Sequence, residues 1–100
     1  MQTAPTESFS VYIFRCSDNS LYVGIARDVA QRVVDHNNGR GAQWTSRRLP
    51  VELVYHESHN TELAAVQRER QLKGWSHAKK LALIEGDVAK LKSLAKRRVF

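Results

Sequence analysis

At 100 residues the chain has room for one small domain with one core, and its 42% hydrophobic content is too high for disorder over the whole length. Sixteen Lys and Arg against ten Asp and Glu leave a formal charge of +6, which points to an anionic partner, nucleic acid first, with DNA ahead of RNA. Cys16 is the single cysteine, residues 1–8 have neither a basic start nor an apolar run, and no apolar run approaches about 18 residues. A disulfide partner, a Cys-x-x-Cys zinc cluster, a signal peptide and a membrane span are therefore not expected, and a cytoplasmic protein is.

After a loose polar lead-in at residues 1–8, two runs rich in β-branched and aromatic residues, Ser10–Cys16 and Leu21–Ile25, flank Ser17-Asp18-Asn19-Ser20. Those turn residues bond locally to backbone, so the pattern predicts a β-hairpin. Asp28 is a suitable N-cap for a helix running to Asn37, with Val29, Val33 and His36 on one face and Arg32 between them. Two strand tyrosines, Tyr12 and Tyr22, are thereby brought near a helix carrying Arg32 and His36 one turn apart. Such a set suits phosphodiester chemistry: a guanidinium fork for phosphate oxygens and a phenol or imidazole for the proton.

Residues 37–48 show no period and include Gly39 and Gly41, which predicts a loop. The loop is basic, and Trp44 interrupts its polar run. Trp44 either stacks on a base while Arg40, Arg47 and Arg48 meet phosphate, or packs the loop onto the core. Pro50 opens a third strand over Val51–His56, broken by Ser58–Thr61. The longest helical pattern runs from Thr61 to Trp75, with Leu63, Val66, Leu72 and Trp75 as its apolar positions. Glu69 is its odd member, because it shares a stripe with Ala65, Val66, Leu72 and Lys73; an acid there needs a neighbouring base such as Lys73, or a bound cation. Gly74 closes this helix, Ser76 caps another through Leu83 and Ile84, and Asp87 caps a last one with Val88, Leu91 and Leu94 in a stripe. The tail, with Lys90, Lys92, Lys96, Arg97 and Arg98, extends the basic surface.

Taken together, these features resemble the GIY-YIG nuclease superfamily, and among its members the small single-domain bacterial (YhbQ-like) proteins. Ser10-Val11-Tyr12 is similar to the first triplet, with Ser10 where glycine is usual, and Tyr22-Val23-Gly24 matches the second. Arg32 stands ten residues beyond Tyr22, and His36 follows four residues later with Asn37 behind it. Gly41-Ala42-Gln43-Trp44-Thr45 with Arg47, Arg48 and Pro50 resembles the loop of the small bacterial members, and Glu69 precedes Leu72-Lys73 as the family's helical glutamate does.

The resemblance covers roughly residues 10–85. It implies an α+β fold with a small three-stranded antiparallel sheet flanked by helices, with residues 9–85 as nuclease domain and 86–100 as a basic C-terminal helix and tail. It further implies hydrolysis of nucleic-acid phosphodiesters with one divalent ion, Mg²⁺ or Mn²⁺, on Glu69. Tyr22 would be the general base, Arg32 would stabilise charge on the phosphoryl oxygens, and Tyr12 and His36 would orient water or phosphate. Arg27, Arg40, Trp44, Arg47, Arg48 and Lys73 are the candidate nucleic-acid contacts. Each residue alone has a plainer role: core aromatic for the tyrosines, exposed helix face for Arg32 and His36, half of an ion pair for Glu69. A non-catalytic nucleic-acid-binding module or docking subunit is the alternative function.

Overall fold

The computed structural model describes residues 8–96; the lead-in of residues 1–7 and the tail residues Arg97 and Arg98 lie outside the described residues. Strands β1 (Phe9–Arg15) and β2 (Leu21–Ala26) form the hairpin, helix α1 (Val29–Asn37) follows, and a single helical turn α2 (Gln43–Ser46) lies within the basic loop. Strand β3 (Glu52–His59) and helices α3 (Glu62–Lys73), α4 (His77–Glu85) and α5 (Val88–Lys96) complete the order. The sheet is antiparallel with order β2-β1-β3, so β1 is central.

Alternation along β1 sorts side chains onto two faces. Phe9, Val11 and Ile13 face one way and join Val23, Ala65 and Leu72 in a buried cluster to which Trp75, Leu83 and Ile84 are added. Tyr12, Phe14 and Cys16 face the other way, with Ala26 and Val51, under Val29 and Val33 of α1. The result is a layer of α3 and α4, then the sheet, then α1. Burying a side chain such as Phe14 or Leu72 stabilises the fold by about 1.5–3 kcal/mol, so both clusters are needed in so small a domain.

Local chemistry fixes the joints. Asp18 Oδ1 accepts from the Ser20 amide at 3.0 Å and Asn19 takes φ 69°, a left-handed turn position that Asn tolerates. Caps are supplied by Asp28 to Gln31, Thr61 to Ala64, Ser76 to Lys79 and Asp87 to Lys90. Asn37 holds the end of α1 to the start of β3: its Oδ1 accepts from the Val51 amide at 2.7 Å and its Nδ2 donates to the Val51 carbonyl at 3.1 Å.

Three local expectations are corrected. The third strand continues to His59, because Ser58 and His59 pair with Ser10 and Phe9 of β1, and sheet pairing overrides the weak strand propensity of Ser. Residues 43–46 are helical where a loop was expected. Leu63, expected on the apolar face of α3, is 67% exposed. Two residues from Ala65 it points about 200° away, whereas Glu69 lies only about 40° round from Ala65 and so borders the buried stripe.

Candidate active site

The hairpin register sets Tyr12 opposite Gly24. A Cβ on Gly24 would fall 2.4 Å from the Tyr12 hydroxyl, so only glycine lets this phenol cross from the central strand over the backbone of β2. Tyr12 is itself 1% exposed, and its ring packs on Phe14 at a centroid distance of 4.3 Å. Burial first, and then Tyr22 and Glu69, push its pKa up, while Arg32 pulls it down. The net shift is upward, so Tyr12 remains a protonated phenol at neutral pH and serves as a donor. The Tyr22 ring of β2 lies 6.4 Å from that of Tyr12, and the charges of Arg32 on α1 and Glu69 on α3 act on the same hydroxyl.

Beside it stands an aromatic wall. Tyr22 is half-buried between Tyr12 and Phe14, each at 6.4 Å, His36 at 5.5 Å, and Trp44, stacked at 5.9 Å. His36 is buried, with its ring edge-on to Phe14 at 5.0 Å and Nδ1 2.9 Å from Thr45 Oγ1. Burial lowers the His36 pKa, Arg32 lowers it further, and Asp35 opposes them. The imidazole is therefore neutral at physiological pH. Gly41 backs this ring as Gly24 backs Tyr12: a Cβ there would fall 2.4 Å from His36 Cγ.

Arg32 is exposed, and among the described residues its guanidinium has no hydrogen-bond or ion-pair partner. It lines an open groove of about 420 Å³ together with Ala26, Arg27, Asp28, Gln31 and Asp35. Glu69 is one-fifth exposed and pairs with Lys73 at 3.2 Å, the neighbouring base its position requires. Among the described residues no three His, Cys, Asp or Glu side chains gather to cage a metal. A lone carboxylate does fit Mg²⁺, which keeps several waters and completes its shell with substrate phosphate.

The six expected nucleic-acid contacts divide. Arg27 sits over the Phe9 ring at 4.8 Å, beside Arg32 in the same groove. Trp44, 42% exposed, lines a second open groove with Gln43, Arg47 and Arg48. Arg48 is engaged within the chain: it caps the Trp44 ring at 4.0 Å and pairs with Asp18 at 3.1 Å. Arg40 pairs with Asp35 at 3.2 Å and Lys73 with Glu69. Trp44 packs on Tyr22 yet leaves much of its surface open. Sequence reasoning missed Thr45 and the reason for Gly41; the only signal was their presence in the motif-like run Gly41–Thr45.

Residues 8–82 match the GIY-YIG catalytic domain. The chain belongs to the GIY-YIG family. A UPF0213 protein of Staphylococcus epidermidis is 49% identical over 75 residues, which are 75% of this chain and 92% of that protein. One of Staphylococcus saprophyticus is 49% identical over 74 residues, 74% of this chain and 90% of that one. The solution NMR structure of a UPF0213 protein from Bacillus halodurans superposes with a TM-score of 0.53 at 34% identity, covering 80% of this chain and 85% of that one. A protein of E. faecalis, also solved by NMR, gives 0.57 at 28% identity over 81% and 86%. The three-stranded sheet with flanking helices is thus shared with solved relatives, and membership of the GIY-YIG family supports a nuclease-type function. No helix of the described residues is long and apolar enough to cross a membrane.

Proposed function

We propose that the protein is a divalent-metal-dependent endonuclease that hydrolyses phosphodiester bonds in DNA, in repair or recombination. What supports this reading is the Tyr12 phenol laid over Gly24 beside the Tyr22 ring, within electrostatic reach of Arg32 and Glu69 from two further elements, with Arg32 lining an open groove. Arg32 clamps the phosphate through its fork of donors and stabilises the charge that develops on the phosphoryl oxygens. Tyr12, held protonated, donates to a phosphate oxygen or to the attacking water. The proton acceptor is then one of the two remaining groups, and Tyr22, the more accessible, takes that part with neutral His36 beside it. Glu69 is the residue that would hold Mg²⁺ or Mn²⁺, releasing Lys73 to the phosphate backbone. Such an ion, when bound, polarises the phosphate and steadies the leaving oxygen.

The test is incubation of the purified chain with single-stranded, duplex and branched DNA and RNA, with and without Mg²⁺ or Mn²⁺. Metal-dependent cleavage of DNA is expected, abolished by EDTA. Glu69→Gln keeps the shape and removes the charge, so it should abolish cleavage while leaving the fold intact. The lost Lys73 pair is half-exposed and worth only about 0.3–0.5 kcal/mol. DNA binding should hold or improve, because a negative charge near phosphate has gone. Wild-type cleavage in excess EDTA, or by Glu69→Gln, would overturn the one-metal reading. Binding without cleavage under any condition would establish instead a non-catalytic nucleic-acid-binding module.

A further inference from the structure

Behind the aromatic wall, Thr45 Oγ1 lies 2.9 Å from the Ala42 carbonyl oxygen and 2.9 Å from His36 Nδ1. A carbonyl oxygen only accepts, so the 2.9 Å approach of Oγ1 to the Ala42 oxygen is a hydrogen bond, and not a repulsive contact, when the single hydroxyl proton of Thr45 lies between them. What Oγ1 then offers the imidazole is a lone pair, and Nδ1 must carry the ring proton. In a neutral imidazole this leaves Nε2 unprotonated. The arrangement has little room to relax. Thr45 is fully buried, its amide also bonds the Ala42 carbonyl, and the His36 ring lies against the Gly41 backbone, where a Cβ would come 2.6 Å from Nδ1.

Among the described residues no buried side-chain nitrogen or oxygen lacks a partner. Nδ1 is the ring nitrogen that has one, so Nε2 is the atom that reaches the sliver of surface left to His36. The neighbouring hydroxyl-bearing ring is Tyr22.

We propose that Thr45 is a positioning residue, which holds His36 with its proton on Nδ1 and so keeps Nε2 as a standing proton acceptor beside the Tyr22 ring, suited to orient an attacking water or the Tyr22 phenol. Its use in catalysis rests on the phosphodiester-hydrolysis reading; the tautomer does not. The charged and titratable groups around His36 are Arg32 and Asp35 from α1 and Tyr22 from β2, whereas Phe14 of β1 and Thr45 of α2 bring no charge. Arg32 and burial oppose a second proton and Asp35 favours it, with opposition the stronger.

The tautomer can be read without substrate, by nitrogen NMR on the isotope-labelled full chain at neutral pH, with the His36 signals assigned from their loss in His36→Gln. The wild type should show Nδ1 protonated and Nε2 unprotonated. Thr45→Val keeps the shape and removes the acceptor, so the proton should redistribute to Nε2. Cleavage should then lose kcat by on the order of tenfold with KM unchanged, and Thr45→Ser should restore both the tautomer and kcat. A wild-type His36 protonated on Nε2, or one that keeps its Nδ1 proton in Thr45→Val, would overturn the proposal. If Thr45→Val does not fold, the wild-type and Thr45→Ser spectra still decide it. An Nδ1-protonated His36 in a chain that cleaves no nucleic acid would sink the nuclease reading and leave the assignment of Thr45 standing.

Discussion

Two clusters in this molecule are built from the same four kinds of side chain, and only one of them looks outward. Between β3 and α3, Glu57 accepts from Tyr55, from His59 at 2.7 Å and from Arg68 at 2.8 Å, and Arg68 also donates to Gln71 at 2.8 Å. Burial works against the Glu57 charge, but the bonds from Tyr55, Arg68 and His59 outweigh it and hold its pKa below the ordinary value. Elsewhere, Tyr22, Arg32 and Glu69 lie within electrostatic reach of the Tyr12 phenol and His36 lies beside Tyr22, but these groups do not satisfy one another. Arg32 has no partner among the described residues, Glu69 has only the half-exposed Lys73, and His36 uses one nitrogen on a threonine. A saturated network rigidifies, whereas capacity left at a groove is available to a ligand. Residue type alone would not tell these clusters apart.

Arginine gives the sharpest way to break the comparison. Arg32→Ala should reduce cleavage by on the order of 10²–10³-fold and Arg32→Lys should lose most of the rate, since an ammonium cannot reproduce the two-pronged contact. DNA affinity should fall only modestly and the melting temperature should not move. Arg68→Met, which also removes the guanidinium lying over the Trp75 ring at 5.4 Å, should do the reverse. It strips Glu57 of its cation and costs about 1–3 kcal/mol, or roughly 5–20 °C in Tm, with cleavage per folded molecule unchanged. Thermal melts beside a cleavage assay would decide it. An Arg32→Ala chain that melts early but still cuts, or an Arg68→Met chain that is stable but inactive, would erase the distinction.

How far the sequence revealed this follows from the range of the interactions. The hairpin, α1 and the end of α3 were legible because alternation, caps and turn chemistry are local, as with Asp28 at Gln31 or Asn19 in the turn. The motif positions gave Tyr12, Tyr22, Arg32, His36 and Glu69 as candidates; Tyr22, Arg32 and Glu69 lie within electrostatic reach of the Tyr12 hydroxyl, and His36 packs beside Tyr22. The purpose of Gly24 was hidden, since it depends on a cross-strand register that carries the Tyr12 ring over it. Thr45 was missed for a similar reason: its value lies in a ring nitrogen nine residues earlier and across a loop. Glu57 and Arg68 were not singled out at all, because neither breaks a local pattern and they meet only when β3 lies against α3.

Trp44 tests the outward side more gently. It is two-fifths exposed, so Trp44→Ala should move Tm little, yet should weaken single-stranded DNA binding by about 1–3 kcal/mol if a base stacks there. A large fall in Tm with unchanged affinity would make Trp44 a packing residue. Affinity should also fall steeply with salt between about 50 and 200 mM. Arg47→Gln should reduce that salt slope by about one, and Arg40→Gln by less, because Asp35 already holds the Arg40 charge. Equal slopes for the two variants would mean that intrachain pairing does not decide which arginines meet phosphate.

Acid should separate the two clusters in order. The folded pKa of His36 lies below its ordinary 6.5, so between the two values the unfolded chain binds more protons than the native one. The stability that neutral His36 contributes is complete above 6.5 and is lost as pH falls toward the folded value. Glu57 is also held below its ordinary value, in its case 4.5, so its contribution survives the first window and is lost only in the second. Asp18, held down chiefly by the Ser20 hydroxyl, and Asp35, held down chiefly by Gln31, likewise lie below their ordinary 3.8. Stability measured by urea unfolding should therefore fall in two steps on acidification. His36→Gln should remove the upper step and spare the lower, and Glu57→Gln should shrink the lower and spare the upper. A single decline below 4.5 that His36→Gln leaves unchanged would mean that the imidazole accepts its second proton in the folded chain as readily as in the unfolded one, and that the wall around it does not exclude charge.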